Sequence, residues 1–208
     1  MNRPRRKVRR RVVPQGGKTS ERVRVIRVHT EGRVTERDYL NHWARLNSGV
    51  RIDWGESGVD PMSLVSRAQA ELRRSSVNTR RHGVADFDEI WCVFDVDEHP
   101  NRSQAIFEAR QSDVNVAVSN PCFELWLVLH VEDRAGPVHR SDIQRDATKL
   151  NLIRGKSVPD VAWESLEDGY EAAKRRARSL DQMHRDNESP SRSNPSTDVW
   201  RLVDRIRS

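Results

Sequence analysis

Residues 88–97 read Asp-Glu-Ile-Trp-Cys-Val-Phe-Asp-Val-Asp. The continuous apolar run in this stretch is typical of a strand that is buried on both faces of a parallel sheet. The run ends at Asp95, and Asp97 follows two positions later. Because ligand chemistry in α/β proteins collects at the carboxyl ends of the strands, the stretch predicts a central strand with an acidic site at its end.

Two further apolar runs end in a similar way. A β-branched run over 23–28 leads to Thr-Glu-Gly at 30–32, and a run over 114–118 leads to Ser-Asn-Pro-Cys-Phe-Glu at 119–124. Three or four carboxylates at neighbouring strand ends make a hard, oxygen-rich pocket that suits Mg²⁺ or Mn²⁺. The pattern therefore suggests metal-assisted phosphate chemistry.

The order of the predicted elements favours an α/β fold with a mainly parallel sheet flanked by helices. Strands are expected at 23–28, 88–94 and 114–118, and helices at 35–46, 62–80, 103–111, from Pro121 onward, at 139–150, 161–186 and 197–206. A glycine-containing loop is expected at 47–62, in which Val50–Ile52 has the character of a short strand, and a linker at 188–196. The C-terminal third loses strand character. We therefore expect a disordered basic tail at 1–21, an α/β core at 22–135 and a helical extension packing on that core at 136–208.

The positive charge of the chain is concentrated at its start. The 208 residues include 37 basic and 31 acidic side chains, and residues 1–18 hold eight of the basic ones and no acid. The remainder has 29 basic against 31 acidic side chains and is close to neutral. A basic arm of this kind commonly binds nucleic-acid phosphates, and a solubilising terminus is the alternative. The residues expected to contact nucleic acid are Arg5, Arg6, Lys7, Arg9, Arg10 and Arg11.

The remaining composition indicates a cytoplasmic protein. Cys92 and Cys122 lie in apolar stretches without metal-ligand spacing, so both are expected as buried thiols in a reducing compartment. The first 18 residues contain no apolar segment that would serve as a signal peptide. No apolar run approaches the roughly 18 to 20 residues that a membrane span needs.

The sequence resembles the RloB family. The residues that carry the resemblance are Glu31-Gly32 opening a Thr-x-x-x-Tyr helix, Asp95-x-Asp97, a Ser-Asn-Pro-Cys-Phe-Glu-Leu-Trp block that leads to His130, and Asn-Pro-Ser-Thr at 194–197. The first two elements also resemble the Toprim fold, which topoisomerases, primases and OLD-type nucleases share. The resemblance implies a Toprim-like core, a role in bacterial anti-phage defence and a partner ATPase.

Together the residues and the resemblance define a candidate site. Glu31, Asp95 and Asp97 are the expected metal ligands, and these three with Glu124 are the expected catalytic residues. Gly32, Ser119, Asn120 and Lys156 are expected to bind phosphate or substrate: Gly32 by letting ligands approach the backbone, Ser119 and Asn120 by standing before a helix start, and Lys156 by its resemblance to a loop lysine of the family.

Each of these residues also has a plain structural interpretation. Glu31 would cap a helix, Asp97 would lie in a solvated loop, and Glu124 would favour a helix start electrostatically. Glu98 is either a further ligand or solvent-facing. His130 is either a core histidine or a general acid–base, and the first is the commoner outcome. Trp163 and Trp200 are expected to be packing anchors.

The expected function is that of a Mg²⁺- or Mn²⁺-dependent nuclease acting on DNA or RNA, tRNA included. In Toprim enzymes the glutamate that matches Glu31 is a metal ligand or a general acid–base. The alternative is a binding module whose acidic pocket holds metal without turnover and which docks nucleic acid or an ATPase partner. An acyl- or hydride-transfer enzyme is disfavoured, because the chain has no Gly-x-Gly-x-x-Gly, Walker or Gly-x-Ser-x-Gly motif. The sequence allows a homo-oligomer.

Overall fold

The computed structural model describes residues 22–96 and 102–208. Its strands are β1 (Arg24–Thr30), β2 (Val50–Ser57), β3 (Glu89–Asp95), β4 (Asn115–Asn120) and β5 (Ser196–Thr197). Its α-helices are α1 (Thr35–Arg45), α2 (Pro61–His82), α3 (Arg102–Arg110), α4 (Glu124–Val131), α5 (Arg140–Lys149), α6 (Trp163–Asp168), α7 (Tyr170–Asp186) and α8 (Val199–Arg207). A 3₁₀ turn at Asp160–Ala162 precedes α6.

One five-stranded sheet organises the described chain, with strand order β2-β1-β3-β4-β5. The first four strands are parallel, and β5 runs antiparallel to β4. The predicted α/β class with a mainly parallel sheet and helices on its faces is confirmed, and the arrangement is consistent with a Toprim-like fold. Because the four long strands are parallel, Thr30, Asp95 and Asn120 all lie at the same edge of the sheet.

Helix α2 illustrates how local sequence sets the element ends. Asp60 caps its start and accepts a hydrogen bond from the Ser63 amide at 3.1 Å. Pro61 occupies the first helical position, where the absence of an N–H costs no hydrogen bond. Gly83 ends the helix with a φ of 73°, the left-handed conformation that glycine adopts most easily.

The core lies on both faces of the sheet. On one face a large cluster joins β1 and β3 to α1, α4, α7 and α8, with Tyr39, Trp126 and Tyr170 at its centre. On the other face a smaller cluster packs α2 and α3 against β3 and β4. Residues beyond 136 therefore share the large cluster with the strands. No helix of the described ranges is long and apolar enough to cross a membrane.

Two of the sequence predictions for the expected α/β core are wrong in their boundaries. The segment expected as a loop at 47–62 contains β2, which extends to Ser57 because it pairs with β1 along nearly its whole length. The helix expected from Pro121 begins at Glu124. A turn precedes it, in which the Leu125 amide donates to the Cys122 carbonyl at 3.0 Å, so Pro121 is not the first helical residue.

The C-terminal third differs more from the prediction. It does contain a strand, β5, whose two residues are too few to produce an alternating pattern in the sequence. The helix expected from Thr197 begins at Val199. The single helix expected over 161–186 is divided at Gly169, where a Cβ atom would lie 2.5 Å from the carbonyl oxygen of His130. The close approach of the end of α4 therefore requires glycine.

Candidate active site

A cavity of about 790 Å³ opens at the carboxyl ends of β1 and β3. We call it the carboxylate cleft. Its acidic lining consists of Glu31, Glu36, Asp95 and Glu124. Its basic lining consists of Arg33, Arg140, Arg145 and Lys156. The cleft thus combines carboxylates with cations at the edge of the sheet where the sequence placed the acidic site.

Glu31 links the ends of β1 and β3. Its amide donates to the Val93 carbonyl at 2.9 Å, which continues the ladder between the two strands. Its side-chain Oε2 accepts a hydrogen bond from the Asp95 amide at 3.1 Å. The predicted juxtaposition of Glu31 and Asp95 is therefore present, and it follows from the register of adjacent parallel strands.

Asp95 is the most deeply placed carboxylate of the cleft, with 6% of its surface exposed. Arg140 Nη2 lies 2.8 Å from its Oδ2. Burial raises the pKa of Asp95 well above its usual range, and the carboxylate of Glu36 raises it further. The Arg140 guanidinium opposes this shift, and the carboxylates of Glu124 and Glu31 add to it. The four acids thus act on one another electrostatically.

Glu36 is a site residue that the sequence analysis missed. It lies in the first turn of α1 and is 7% exposed. Burial, with smaller contributions from the Glu124 and Glu31 carboxylates, raises its pKa to about 7. A Cβ atom at Gly32 would overlap the Glu36 carboxylate, so the glycine makes room for this side chain. An acid in a first helical turn ordinarily indicates only a favourable dipole interaction, so the pattern alone does not distinguish it.

The basic residues of the cleft come from distant parts of the chain. Arg140 begins α5, and its pairing with Asp95 spans 45 positions, so no local pattern predicted it. Lys156, which was predicted, lies in a tight turn closed by hydrogen bonds between Arg154 and Ser157. The Lys156 carbonyl accepts from Thr35 Oγ1 at 2.6 Å, which fixes this turn beside the start of α1.

The remaining predicted phosphate ligands lie outside the lining of the carboxylate cleft. The Ser119 hydroxyl is buried and lies 2.9 Å from Thr197 Oγ1. Asn120 Nδ2 donates to the Arg192 carbonyl at 2.8 Å, and Asn120 lines a smaller cavity of about 340 Å³ that shares Arg140 with the cleft. Phosphate binding by these two residues stays a prediction. Asp97, Glu98 and the basic tail lie outside the described residues.

His130 has the contacts of a core histidine. Its Nε2 lies 3.0 Å from Tyr39 Oη, and its Nδ1 lies 2.8 Å from the Trp126 carbonyl oxygen. Burial lowers its pKa to about 4, so the ring is neutral at physiological pH. Of the two interpretations of His130, the geometry supports the structural one.

Trp163, which the sequence analysis interprets as a packing anchor, stacks on His42 with ring centroids 3.9 Å apart.

The carboxylates of the cleft are ligands of the type that a hard divalent cation prefers, but their side chains are not arranged as a complete ligand set. Glu31, Glu36, Asp95 and Glu124 supply oxygen donors, and a cation bound among them would offset the mutual repulsion that raises the pKa of Asp95. Within 22–96 and 102–208, however, no three side chains of the metal-ligating types are placed to hold one ion together. Arg140 supplies positive charge at Asp95 instead.

Comparison with known proteins gives one match. The model of the RloB-like protein family matches residues 26–206. The chain belongs to the RloB-like family. Searches of curated proteins and of solved structures gave no match. The RloB-like match spans every residue of the carboxylate cleft, from Glu31 to Lys156.

Proposed function

We propose that this RloB-like protein is a Mg²⁺- or Mn²⁺-dependent nuclease of Toprim type that hydrolyses phosphodiester bonds in DNA or RNA. The observation that carries the proposal is the convergence of Glu31, Glu36, Asp95 and Glu124 in one cleft that is also lined by basic side chains. Buried carboxylates close to one another are costly unless a cation offsets their charge. Basic side chains beside such a site are suited to hold a phosphate.

The residues of the cleft divide into two roles under this proposal. Glu31 and Asp95, together with Asp97, would hold the cation, which when bound would polarise the scissile phosphate and acidify an attacking water. Arg145 and Lys156 line the same cavity and would bind the phosphates of the substrate.

Glu36 has the protonation behaviour of a general acid–base. With a pKa of about 7 it exists in both protonation states near neutral pH. A group of this kind can accept a proton from water or donate one to a leaving oxygen, and its efficiency is greatest when its pKa is close to the working pH. We therefore propose Glu36 as the proton-transfer group of the reaction, in addition to the predicted role of Glu31.

The proposed biological setting is a role in anti-phage defence with a partner ATPase that controls the nuclease. It rests on the resemblance of the sequence to the RloB family, to which the match over residues 26–206 assigns the chain.

The second candidate function is a binding module without turnover. The Arg140 guanidinium already offsets the charge of Asp95 at 2.8 Å, and the described residues hold no complete set of three metal-ligating side chains. Both observations favour a cleft that recognises a ligand without a catalytic ion.

A cleavage assay separates the two functions. Purified full-length protein would be incubated with DNA, total RNA and tRNA in Mg²⁺, Mn²⁺ or chelator. Each incubation would be carried out with the protein alone and with the proposed partner ATPase. We expect the wild type to cleave, Glu31→Gln to bind substrate without cleaving it, and Glu164→Gln, which alters an exposed acid of α6, to match the wild type. Absence of cleavage in every condition, or wild-type cleavage by Glu31→Gln, would favour the binding module.

A further inference from the structure

Three cations surround the indole ring of Trp200, at the start of α8. Lys174 Nζ lies 5.5 Å from the ring centroid, Arg178 Cζ 5.9 Å and Arg201 Cζ 5.3 Å. A single cation–π contact at an exposed site contributes about 0.5 to 1 kcal/mol, and packing alone does not require three cations around one ring. Trp200 is half-buried, whereas Arg178 and Arg201 are exposed.

A second group of cations adjoins this ring. A cavity of about 320 Å³ is lined by Arg110, Arg185, Arg192 and Arg201, and Arg201 also belongs to the Trp200 group. Asp181 and Asp198 line the same cavity. Arg192 pairs with Asp198 at 2.7 Å, and its buried Nε has no hydrogen-bond partner. The cavity therefore gathers four guanidinium groups around two carboxylates.

The geometry of α7 joins the two groups into one surface. Lys174, Arg178, Asp181 and Arg185 are spaced by three or four positions and share one face of the helix. We define the α7–α8 surface by Trp200, the six cations Arg110, Lys174, Arg178, Arg185, Arg192 and Arg201, and the three carboxylates Asp181, Asp198 and Asp204.

The charge of this surface contrasts with that of the surrounding protein. Six cations against three carboxylates leave a formal excess of three positive charges, while residues 19–208 as a whole carry 29 basic and 31 acidic side chains. Lys174 is paired with Asp204 at 2.7 Å and Arg192 with Asp198, so the excess is carried chiefly by the exposed arginines. Clustered like charges repel one another, and an anion bound among them would relieve that repulsion.

We propose that the α7–α8 surface binds the phosphodiester backbone of a nucleic acid, separately from the carboxylate cleft. Arg178, Arg185 and Arg201 would contact phosphates, and the exposed guanidinium planes beside Trp200, which itself packs against the large cluster, would stack on bases. Basic side chains interleaved with an aromatic ring are the combination that binds single strands with little sequence preference. The biological purpose of this surface, to retain a substrate for cleavage, rests on the proposed nuclease function.

The test compares two double variants of the full-length protein that remove the same charge. Arg178→Ala/Arg201→Ala alters the surface, and Arg80→Ala/Arg81→Ala alters two exposed arginines at the end of α2. Binding to single-stranded RNA, single-stranded DNA and duplex DNA would be measured in chelator over a range of salt concentrations. Melting curves establish that each variant is folded. Arg178→Gln/Arg201→Gln removes the same charge and replaces the alanine variant where that one fails to fold, and Arg178→Lys/Arg201→Lys retains the charge.

We expect Arg178→Ala/Arg201→Ala to reduce the slope of log affinity against log salt by roughly 1.4 to 1.8, since each lost phosphate contact contributes roughly 0.7 to 0.9. The control variant and the lysine variant should retain the wild-type slope. The nucleic acid that loses most affinity identifies the preferred ligand. Equal slopes for the two alanine variants would overturn the proposal.

Because binding is measured in chelator, this result is independent of cleavage. If the wild type cleaves and Arg178→Ala/Arg201→Ala keeps the wild-type salt slope, the proposed nuclease function stands and the proposed binding by the α7–α8 surface does not. If the wild type never cleaves and that variant has a reduced salt slope, binding by the surface stands and the nuclease function does not.

Discussion

At the residue scale, the cleft depends on carboxyl groups that are held close together and away from water. Asp95 and Glu36 have raised pKa values for the same reason, burial beside other acids, and Arg140 offsets only part of that charge. The sequence predicted Glu31, Asp95 and Glu124 because each directly follows or soon follows an apolar run. It did not predict Glu36, because an acid in a first helical turn ordinarily indicates only a dipole interaction. It did not predict Arg140, because its approach to Asp95 spans 45 positions of the chain.

Glu36 should make the stability of the protein depend on pH. Folding raises its pKa from 4.5 to about 7, so the folded state binds the proton more tightly than the unfolded state. The resulting stabilisation is complete below about pH 4.5 and is lost as pH rises through about 7, a difference of about 3 kcal/mol. Glu36→Gln stays uncharged and should therefore gain stability over the wild type above about pH 7.

Denaturant unfolding in chelator at about pH 5 and about pH 8.5 measures this effect. The exposed Glu164→Gln serves as the matched control and should follow the wild-type pH dependence. If Glu36→Gln loses as much stability as the wild type between the two pH values, the raised pKa is not a property of the folded protein.

At the element scale, the sequence predicted elements that have a clear apolar pattern and failed where contacts with distant residues set the bounds. The apolar run 89–95 is long enough to identify β3, and its carboxyl end fixed the position of the cleft. β2 was missed beyond Ile52 because its pairing with β1 outweighs an otherwise loop-like composition. The division between α6 and α7 lies at Gly169, where glycine is required by the His130 carbonyl 39 positions earlier in the sequence, a contact that no local pattern indicates.

Gly169→Ala should destabilise the fold. Its backbone conformation is helical, so alanine would ordinarily be tolerated or favourable there. The added Cβ would lie 2.5 Å from the His130 carbonyl oxygen and 2.7 Å from that of Ser165, and such overpacking costs about 1 to 3 kcal/mol. Denaturant unfolding measures the loss. Gly49→Ala, whose Cβ would meet only the Asn47 side chain at 3.2 Å, should cost much less, and equal losses would contradict the argument.

At the scale of the whole molecule, the net positive charge lies in residues 1–18, which precede the described fold. The described ranges contain a five-stranded sheet and two hydrophobic clusters, and the family match begins at residue 26. The eight basic residues of 1–18 precede both. This separation predicts that the tail contributes to binding and not to stability.

Deletion of residues 1–18 should leave the melting temperature unchanged. It should also flatten the salt dependence of nucleic-acid binding, with a loss in slope of roughly 0.7 to 0.9 for each phosphate contact removed. Calorimetry and a salt titration of binding check the two parts. A lowered melting temperature with an unchanged slope would assign the tail a structural role.

A titration with Mn²⁺ followed by electron paramagnetic resonance measures directly whether the carboxylate cleft holds a divalent cation. We expect the wild type and Glu164→Gln to bind about one or two ions per chain. Glu31→Gln/Asp95→Asn should lose that binding while remaining folded, because two of the oxygen donors in the cleft are removed. Equal Mn²⁺ binding by all three proteins would contradict the claim.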